Sequence, residues 1–214
     1  MNLANYFWFF QSAVPPRICD MIIEYGKAEK KREVMAVTGG LGRDRNFKEQ
    51  PLNKKEIKDL KKKRFSNIIW MNDHWIYREI HPYIHRANKN ADWNFAWDWS
   101  ESCQFTKYKK GQYYDWHCDS WEKPYAHEGV TKGKIRKLSV TVTLSNPQEY
   151  KGGELEFDFR QHDAEKRRKP RVCKEILPQG SLVVFPSFVW HRVKPVTKGV
   201  RYSLVMWNLG YPFK

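Results

Sequence analysis

The stretch Arg136–Ser145, RKLSVTVTLS, alternates without a break: Leu138, Val140, Val142 and Leu144 fall on one side of an extended chain, and Ser139, Thr141 and Thr143 on the other. A period of two with β-branched residues predicts a strand with one face turned to a core. Outward from it the same signal recurs in short segments. Upstream lie Trp93–Trp99, Cys103–Tyr108 and Tyr113–His117; downstream lie Glu154–Phe159, Ser181–Phe185, His191–Val193 and Val200–Asn208. Proline and glycine turns separate them. Many short alternating strands at this spacing indicate a sandwich or jelly roll.

The first 92 residues read differently. Val14–Lys31 opens on prolines suited to a first helical turn and then places Ile18, Met21, Ile22 and Tyr25 at helical spacing. Asn72–Ala87 puts Ile76, Ile80, Ile84 and Ala87 on one face, with Asn72 or Asp73 as cap and a bend near Pro82. Val34–Val37 suits a short strand ended by Gly39-Gly40, and Arg43–Arg64 a basic loop with a short exposed helical piece. The expected fold is therefore mainly β with flanking helices. One domain spans residues 1–214, with a helical buttress over 1–92 and a jelly-roll core over 93–214.

Composition narrows the partners. The chain has 41% hydrophobic residues, including 10 Trp, 11 Tyr and 12 Phe, which excludes wholesale disorder. No stretch approaches the roughly 20 apolar residues that span a bilayer, so no membrane partner is expected. The aromatic opening Met1–Phe10 lacks a basic region and a small-residue cleavage site, so it does not read as a signal peptide. Cys19, Cys103, Cys118 and Cys173 form no CxxC pair and read as reduced thiols, which places the chain in a cytoplasm. The net charge of +15 is concentrated in Lys27–Arg32, Lys54–Arg64 and Lys166–Arg171. Such runs attract acidic protein or nucleic acid, or simply keep a surface solvated.

The chemistry gathers around YYDWHCDSW. His117 and Asp119 are two apart, so an extended chain points imidazole and carboxylate to the same side. Cys118 between them should point away. His191, within FPSFVWHRV, supplies a second imidazole. Two histidines and one carboxylate form the facial triad that holds Fe(II) and leaves coordination positions open for a co-substrate and dioxygen. Arg201 follows ten residues after His191 on the next strand. A guanidinium set back from a metal suits the far carboxylate of a dicarboxylate such as 2-oxoglutarate. Ser203, Val205 and Trp207 share its face, while Tyr202, Leu204 and Met206 face the other way. His81 and His85 have a metal-pair spacing, but with no third ligand nearby they read as surface or packing residues.

From Gln104 to Trp207 the chain resembles the prolyl 4-hydroxylase-like branch of the Fe(II)/2-oxoglutarate dioxygenases. The resemblance rests on QFTKYKKGQYYDWHCD, KLSVTVTLSNPQEYKGGELEF and GSLVVFPSFVWHRVKPVTKGVRYSLVMW. Its most distinctive element is Y-x-x-G-x-x-Y-x-x-H-x-D, matched by Tyr108, Gly111, Tyr114, His117 and Asp119. More distantly, SNIIWMND at Ser66–Asp73 and the helix after it are similar to small bacterial and phage members, which would place the protein in a host cytoplasm if phage-encoded.

The resemblance implies a double-stranded β-helix core. Fe(II) would be held by His117, Asp119 and His191. Arg201, Tyr108, Ser203 and Thr143 would bind 2-oxoglutarate, and Tyr114, Trp207 and Trp121 would line the substrate pocket. Dioxygen is then the oxidant, L-ascorbate a supporting reductant, and succinate a product of hydroxylating an unactivated C–H. Peptidyl proline in a peptide or protein, acidic or proline-containing, is the substrate it favours. Arg201 stands where collagen-type enzymes carry lysine, which points toward the bacterial or oxygen-sensor-like branches. Two other readings stand beside it: hydroxylation of a free amino acid or small molecule, and oxidative demethylation of nucleic acid. Demethylases of this superfamily carry R-x-N-x-x-x-R after the distal histidine. Here that segment is RYSLVMW, without the Asn and second Arg, so nucleic acid is the less favoured partner. Asp158–Lys174 is a basic insertion between core strands, and Ser120–Lys134, with Gly129 and Gly133, is a candidate lid.

Overall fold

In the computed structural model, which describes residues 5–38, 50–120, 123–159 and 169–213, the alternating stretch becomes β8 (Ile135–Thr143) at the centre of the larger of two sheets. Elements are numbered in chain order. That sheet runs β1 (Trp8–Phe10), β12 (Leu182–Pro186), β8, β14 (Val196–Gly210), β6 (Cys103–Lys109), β4 (Asn67–Met71), β2 (Val34–Met35), with β5 (Trp99–Ser100) and β9 (Tyr150–Gly152) also paired to β14. The smaller sheet runs β11 (Arg171–Val172), β10 (Leu155–Asp158), β13 (Trp190–Val193), β7 (Tyr113–His117), β3 (Arg64–Phe65). Every pairing is antiparallel. Two facing antiparallel sheets with flanking helices make the double-stranded β-helix expected of the sequence.

β8 turns its apolar face to a core covered by helices. Leu138, Val140 and Val142 pack with Leu204 and Met206 against α1 (Pro16–Ala28) and α3 (His74–Asn90). Between the sheets lie Tyr108, Phe157, Val183, Phe185 and Val193. α1 starts with Pro16 in its first turn, where a missing N–H costs nothing. Its buried face is Ile18, Cys19, Ile22, Ile23 and Gly26; Met21, expected on that face, is 53% exposed. Gly26 admits Phe105 so closely that a Cβ would stand 2.5 Å from the ring. α3 buries Ile76, Ile80, Ile84 and Ala87, the four positions its periodicity selects, and carries Pro82 within it. His81 bonds Ser100 at 3.0 Å and His85 stacks on Trp97 at 4.7 Å, both packing roles.

Three expectations change. Residues 1–92 are more than a helical buttress, since they add β1 to β4 and so extend both sheets. The alternation over Trp93–Trp99 is not a strand before Trp99. Asp92 and Asn94 adopt left-handed conformations (φ 57° and 52°) that turn the chain, and Trp93 is buried against the helices instead. The basic segment before Arg64 holds a full helix, α2 (Lys54–Lys63), closed by a capping box in which Asn53 and Glu56 bond each other's backbone. Gly39, Gly40 and residues 43–49 lie outside the described residues. Of the Asp158–Lys174 insertion, the described part supplies edge strand β11 and the buried Cys173.

One turn is fixed by a backbone that only glycine tolerates. Gly180 has φ +76°, donates to Thr143 and accepts from Val14, and a Cβ there would stand 1.9 Å from the Val14 carbonyl oxygen. Gly180→Ala is therefore expected to lower the unfolding free energy by about 2 kcal/mol or more. Thermal or urea unfolding checks this, and an unchanged midpoint would contradict it.

Candidate active site

β7 and β13 are neighbours in the smaller sheet, with His117 directly opposite His191. Asp119 follows two residues later, where its backbone N–H and that of Ser120 both donate to the Ser187 carbonyl. The result gathers three donors. His117 Nε2 lies 3.8 Å from Asp119 Oδ1, and His191 Nε2 lies 3.5 Å from Asp119 Oδ2. All the donor atoms fall within 4.8 Å of one another, the one such cluster of His, Cys, Asp or Glu among the described residues.

The imidazole tautomers follow from their other nitrogens. His117 Nδ1 faces the Asp115 carbonyl at 2.7 Å, and His191 Nδ1 faces the Val189 carbonyl at 2.9 Å. A carbonyl only accepts, so each Nδ1 carries the proton and each Nε2 turns a lone pair to the common centre. Burial, with repulsion from His191, holds His117 well below its usual pKa, so it is neutral at pH 7. Burial alone would raise Asp119, but His191, His117 and Arg136 outweigh it and bring the carboxyl down to about 2. A neutral His117 and an ionised Asp119 are in the forms that bind a divalent ion. The donor set thus fits Fe(II).

Packing fixes these groups. Tyr114 stacks on His117 at 3.5 Å, and Phe185 meets His191 edge-on at 4.8 Å. Ser139, from the polar face of β8, donates to Asp119 Oδ2 at 2.8 Å and bonds Ser187 at 2.9 Å. Ser139→Ala should leave one carboxylate oxygen less restrained. A loss of roughly 10–100-fold in Mn(II) affinity by calorimetry is expected; unchanged affinity would remove Ser139 from the account.

Arg201 lies on β14 of the larger sheet, 2% exposed and opposite Tyr108 in the β14–β6 pairing. Its guanidinium sits 5.6 Å from the Tyr108 ring and donates to Ser203 Oγ at 3.3 Å. No carboxylate pairs with it among the described residues. Ser203 and Thr143 are direct cross-strand partners, both buried, so the four residues expected around 2-oxoglutarate are neighbours. The donor set fits a dicarboxylate, since a buried guanidinium without a counter-charge is costly and an anion would relieve it.

A cavity of about 560 Å³ opens from Asp119 past Tyr114 and Trp207. Trp121 lies outside the described residues, whereas Tyr125 of the candidate lid segment lines the cavity and bonds Glu101. Cys118 also lines it, its thiol set against the Ser120 carbonyl at 3.7 Å rather than among the three donors. Pattern reading missed Ser139, Arg64 and the Arg136–Glu101 ion pair. Ser139 alone carried a signal, as a small polar residue on the inward face of a strand.

A double-stranded β-helix with this donor set defines a non-haem iron oxygenase scaffold. The sequence matches the family model described as the 2OG-Fe(II) oxygenase superfamily over residues 103–208, and the chain belongs to that superfamily. The family implies Fe(II) and 2-oxoglutarate, with dioxygen. It is 36% identical over 105 residues to the PKHD-type hydroxylase YbiX of Escherichia coli, a match covering 48% of this chain and 40% of that protein. The chain thus spans less than half the length of that relative. Among solved structures it is similar to a viral collagen prolyl hydroxylase from Paramecium bursaria Chlorella virus-1 (TM-score 0.61, 18% identity, 97% of each chain). It is also similar to a Pseudomonas putida prolyl-4-hydroxylase (TM-score 0.59, 18% identity, 96% of this chain and 92% of that one). At that identity the likeness is one of fold. Among the described residues no helix is long and apolar enough to cross a membrane.

Proposed function

We propose that the chain is an Fe(II)- and 2-oxoglutarate-dependent hydroxylase of a peptide, with proline as the residue oxidised. The observation that carries this reading is the three-donor cluster of His117, Asp119 and His191 in one barrel with Arg201, which is buried beside Tyr108, Ser203 and Thr143 and has no carboxylate partner among the described residues. In it His117, Asp119 and His191 hold the metal. Arg201 and Tyr108, with Ser203 and Thr143, hold the distal carboxylate of 2-oxoglutarate. Tyr114 and Trp207 line the substrate's path, and Trp121 is proposed to join them. The bound metal and co-substrate together supply the oxidising chemistry, in which 2-oxoglutarate and dioxygen yield succinate, carbon dioxide and a hydroxylated C–H.

The protein's part is positional. The carbonyls of Asp115 and Val189 keep each Nδ1 protonated, Ser139 steadies the carboxylate, and the aromatic walls exclude water from the oxidised carbon. Ascorbate is proposed as the reductant that keeps iron ferrous. A cytoplasmic setting is supported by the unpaired thiols of Cys19, Cys103 and Cys173, which burial raises to about 12. The peptide substrate is supported by a solved relative of the fold, a Trichoplax adhaerens prolyl hydroxylase in complex with a peptide fragment of hypoxia inducible factor.

Incubation with Fe(II), ascorbate, 2-oxoglutarate and proline-rich peptides is expected to add one oxygen to a proline, with matching succinate. Loss of a methyl from a methylated oligonucleotide, with no gain on any peptide, would overturn the substrate class.

A further inference from the structure

The cavity that opens from Asp119 holds a buried guanidinium distinct from Arg201. Arg64 ends the lysine-rich helix α2 and begins β3, where it pairs with Tyr114. It is 5% exposed and lines the cavity shared with Asp119 and Trp207. Its NH1 donates to the Val37 carbonyl at 2.9 Å, and its Nε makes a long bond to Ser66 Oγ at 3.4 Å. No carboxylate pairs with it among the described residues. The other cavity arginine, Arg136, is engaged by Glu101 through both Nε and NH2. A guanidinium has five N–H donors, so Arg64 keeps donors in reserve in a place where an unmatched charge is costly.

Its position relative to the chemistry is defined by stacking. The Arg64 guanidinium lies 4.4 Å over the Tyr114 ring, and the His117 ring stacks on the same Tyr114 at 3.5 Å. Arg64 is therefore one aromatic layer removed from a metal donor. Two stacking steps separate Arg64 from His117, about two residues of extended peptide at roughly 3.3–3.6 Å each, and the side chain of an acidic residue next to the oxidised one spans the second of them. The cavity wall is apolar at Val34, Ile57 and Trp70. Outside it, Lys54, Lys55, Lys58, Lys61, Lys62 and Lys63 stand exposed along α2. That field draws an acidic chain toward the opening.

We infer that Arg64 is a specificity-determining residue that takes a carboxylate of the primary substrate, which is an acidic peptide bearing Asp or Glu next to the oxidised residue. This rests on the peptide-hydroxylase reading above. It concerns a different carboxylate from the one assigned to Arg201.

The test uses three synthetic peptides differing only at the central pair, Asp-Pro, Asn-Pro and Asp-Ala. Their binding to the protein loaded with Mn(II) and 2-oxoglutarate, without oxygen, is measured by calorimetry. The Asp-Pro peptide is expected to bind at least about tenfold tighter than Asn-Pro, in keeping with a charge-assisted bond at a buried site. Arg64→Gln should erase that difference, and Arg64→Lys should restore part of it, since it keeps the charge but not the planar fork. Equal binding of the Asp and Asn peptides to the parent overturns the inference, as does binding of neither. A loss in Arg64→Gln confined to 2-oxoglutarate affinity overturns it too, by reassigning Arg64 to the co-substrate. Should Arg64→Gln fail to fold, the parent and Arg64→Lys still decide on the Asp-to-Asn ratio. Tight binding of both Asp peptides with no hydroxylation of Asp-Pro in the Fe(II) enzyme would refute proline as target and leave the Arg64 assignment standing.

Discussion

His117→Ala abolishes binding of a divalent ion in this account, with calorimetric titration of Mn(II) as the measurement. The loss should go well beyond the roughly 10–100-fold that follows removal of a group supporting a ligand. The reason is geometric. His117 and His191 face each other across one strand pair, and Asp119 reaches both, so the ion is shared by three groups with no fourth nearby among the described residues. Two donors keep the carboxylate charge but lose the chelation of three. His117 is also held neutral by burial, so it binds metal at pH 7 without first releasing a proton. Retention of Mn(II) affinity in His117→Ala would show that the cluster is a buried polar network and not a metal centre.

Arg201→Leu should act in opposite directions on ligand and fold. Affinity for 2-oxoglutarate is expected to fall roughly a hundredfold or more, since truncating one partner of a buried ion pair costs about 3–5 kcal/mol. The metal-free, ligand-free protein should keep its melting temperature or gain in it. There Arg201 is 2% exposed with no carboxylate partner among the described residues, and leucine removes the desolvated charge. A residue kept for structure alone would show the reverse: a lower melting temperature and unaltered co-substrate binding. The pair of measurements separates the two roles.

Much of this was legible because the period of two is a direct imprint of burial. Along β8 and β14 the side chains alternate between the helix-covered face and the barrel interior, so Leu138 and Ser139 sort themselves from sequence. The same alternation puts His117 and Asp119 on one side. It also groups Arg201 with Ser203 and Trp207 on the side away from Leu204 and Met206. Where alternation lacked a sheet partner it misled: Trp93–Trp99 has the pattern, but the left-handed Asp92 and Asn94 coil it.

Contacts between segments far apart in sequence left no local trace. Arg64 reaches the cavity only because β3 adds to the edge of the smaller sheet beside Tyr114, a pairing no spacing rule announces. The Arg136–Glu101 pair joins two segments whose charges look like ordinary surface. Met21 shows a further limit. Helical spacing puts it beside Ile18 and Ile22, yet the buried arc of α1 centres on Cys19, Ile22 and Gly26 because Phe105 packs there.

The central claim is that one metal ion and one 2-oxoglutarate share this pocket, the ion on His117, Asp119 and His191 and the far carboxylate on Arg201. Titration of 2-oxoglutarate into the protein with and without Mn(II), in the absence of oxygen, tests it most directly. The account predicts binding that depends on the metal, at least about tenfold tighter with Mn(II) than without, because the ion and the guanidinium each hold one end of the dicarboxylate. Equal affinity with and without Mn(II), or no binding in either case, would contradict it.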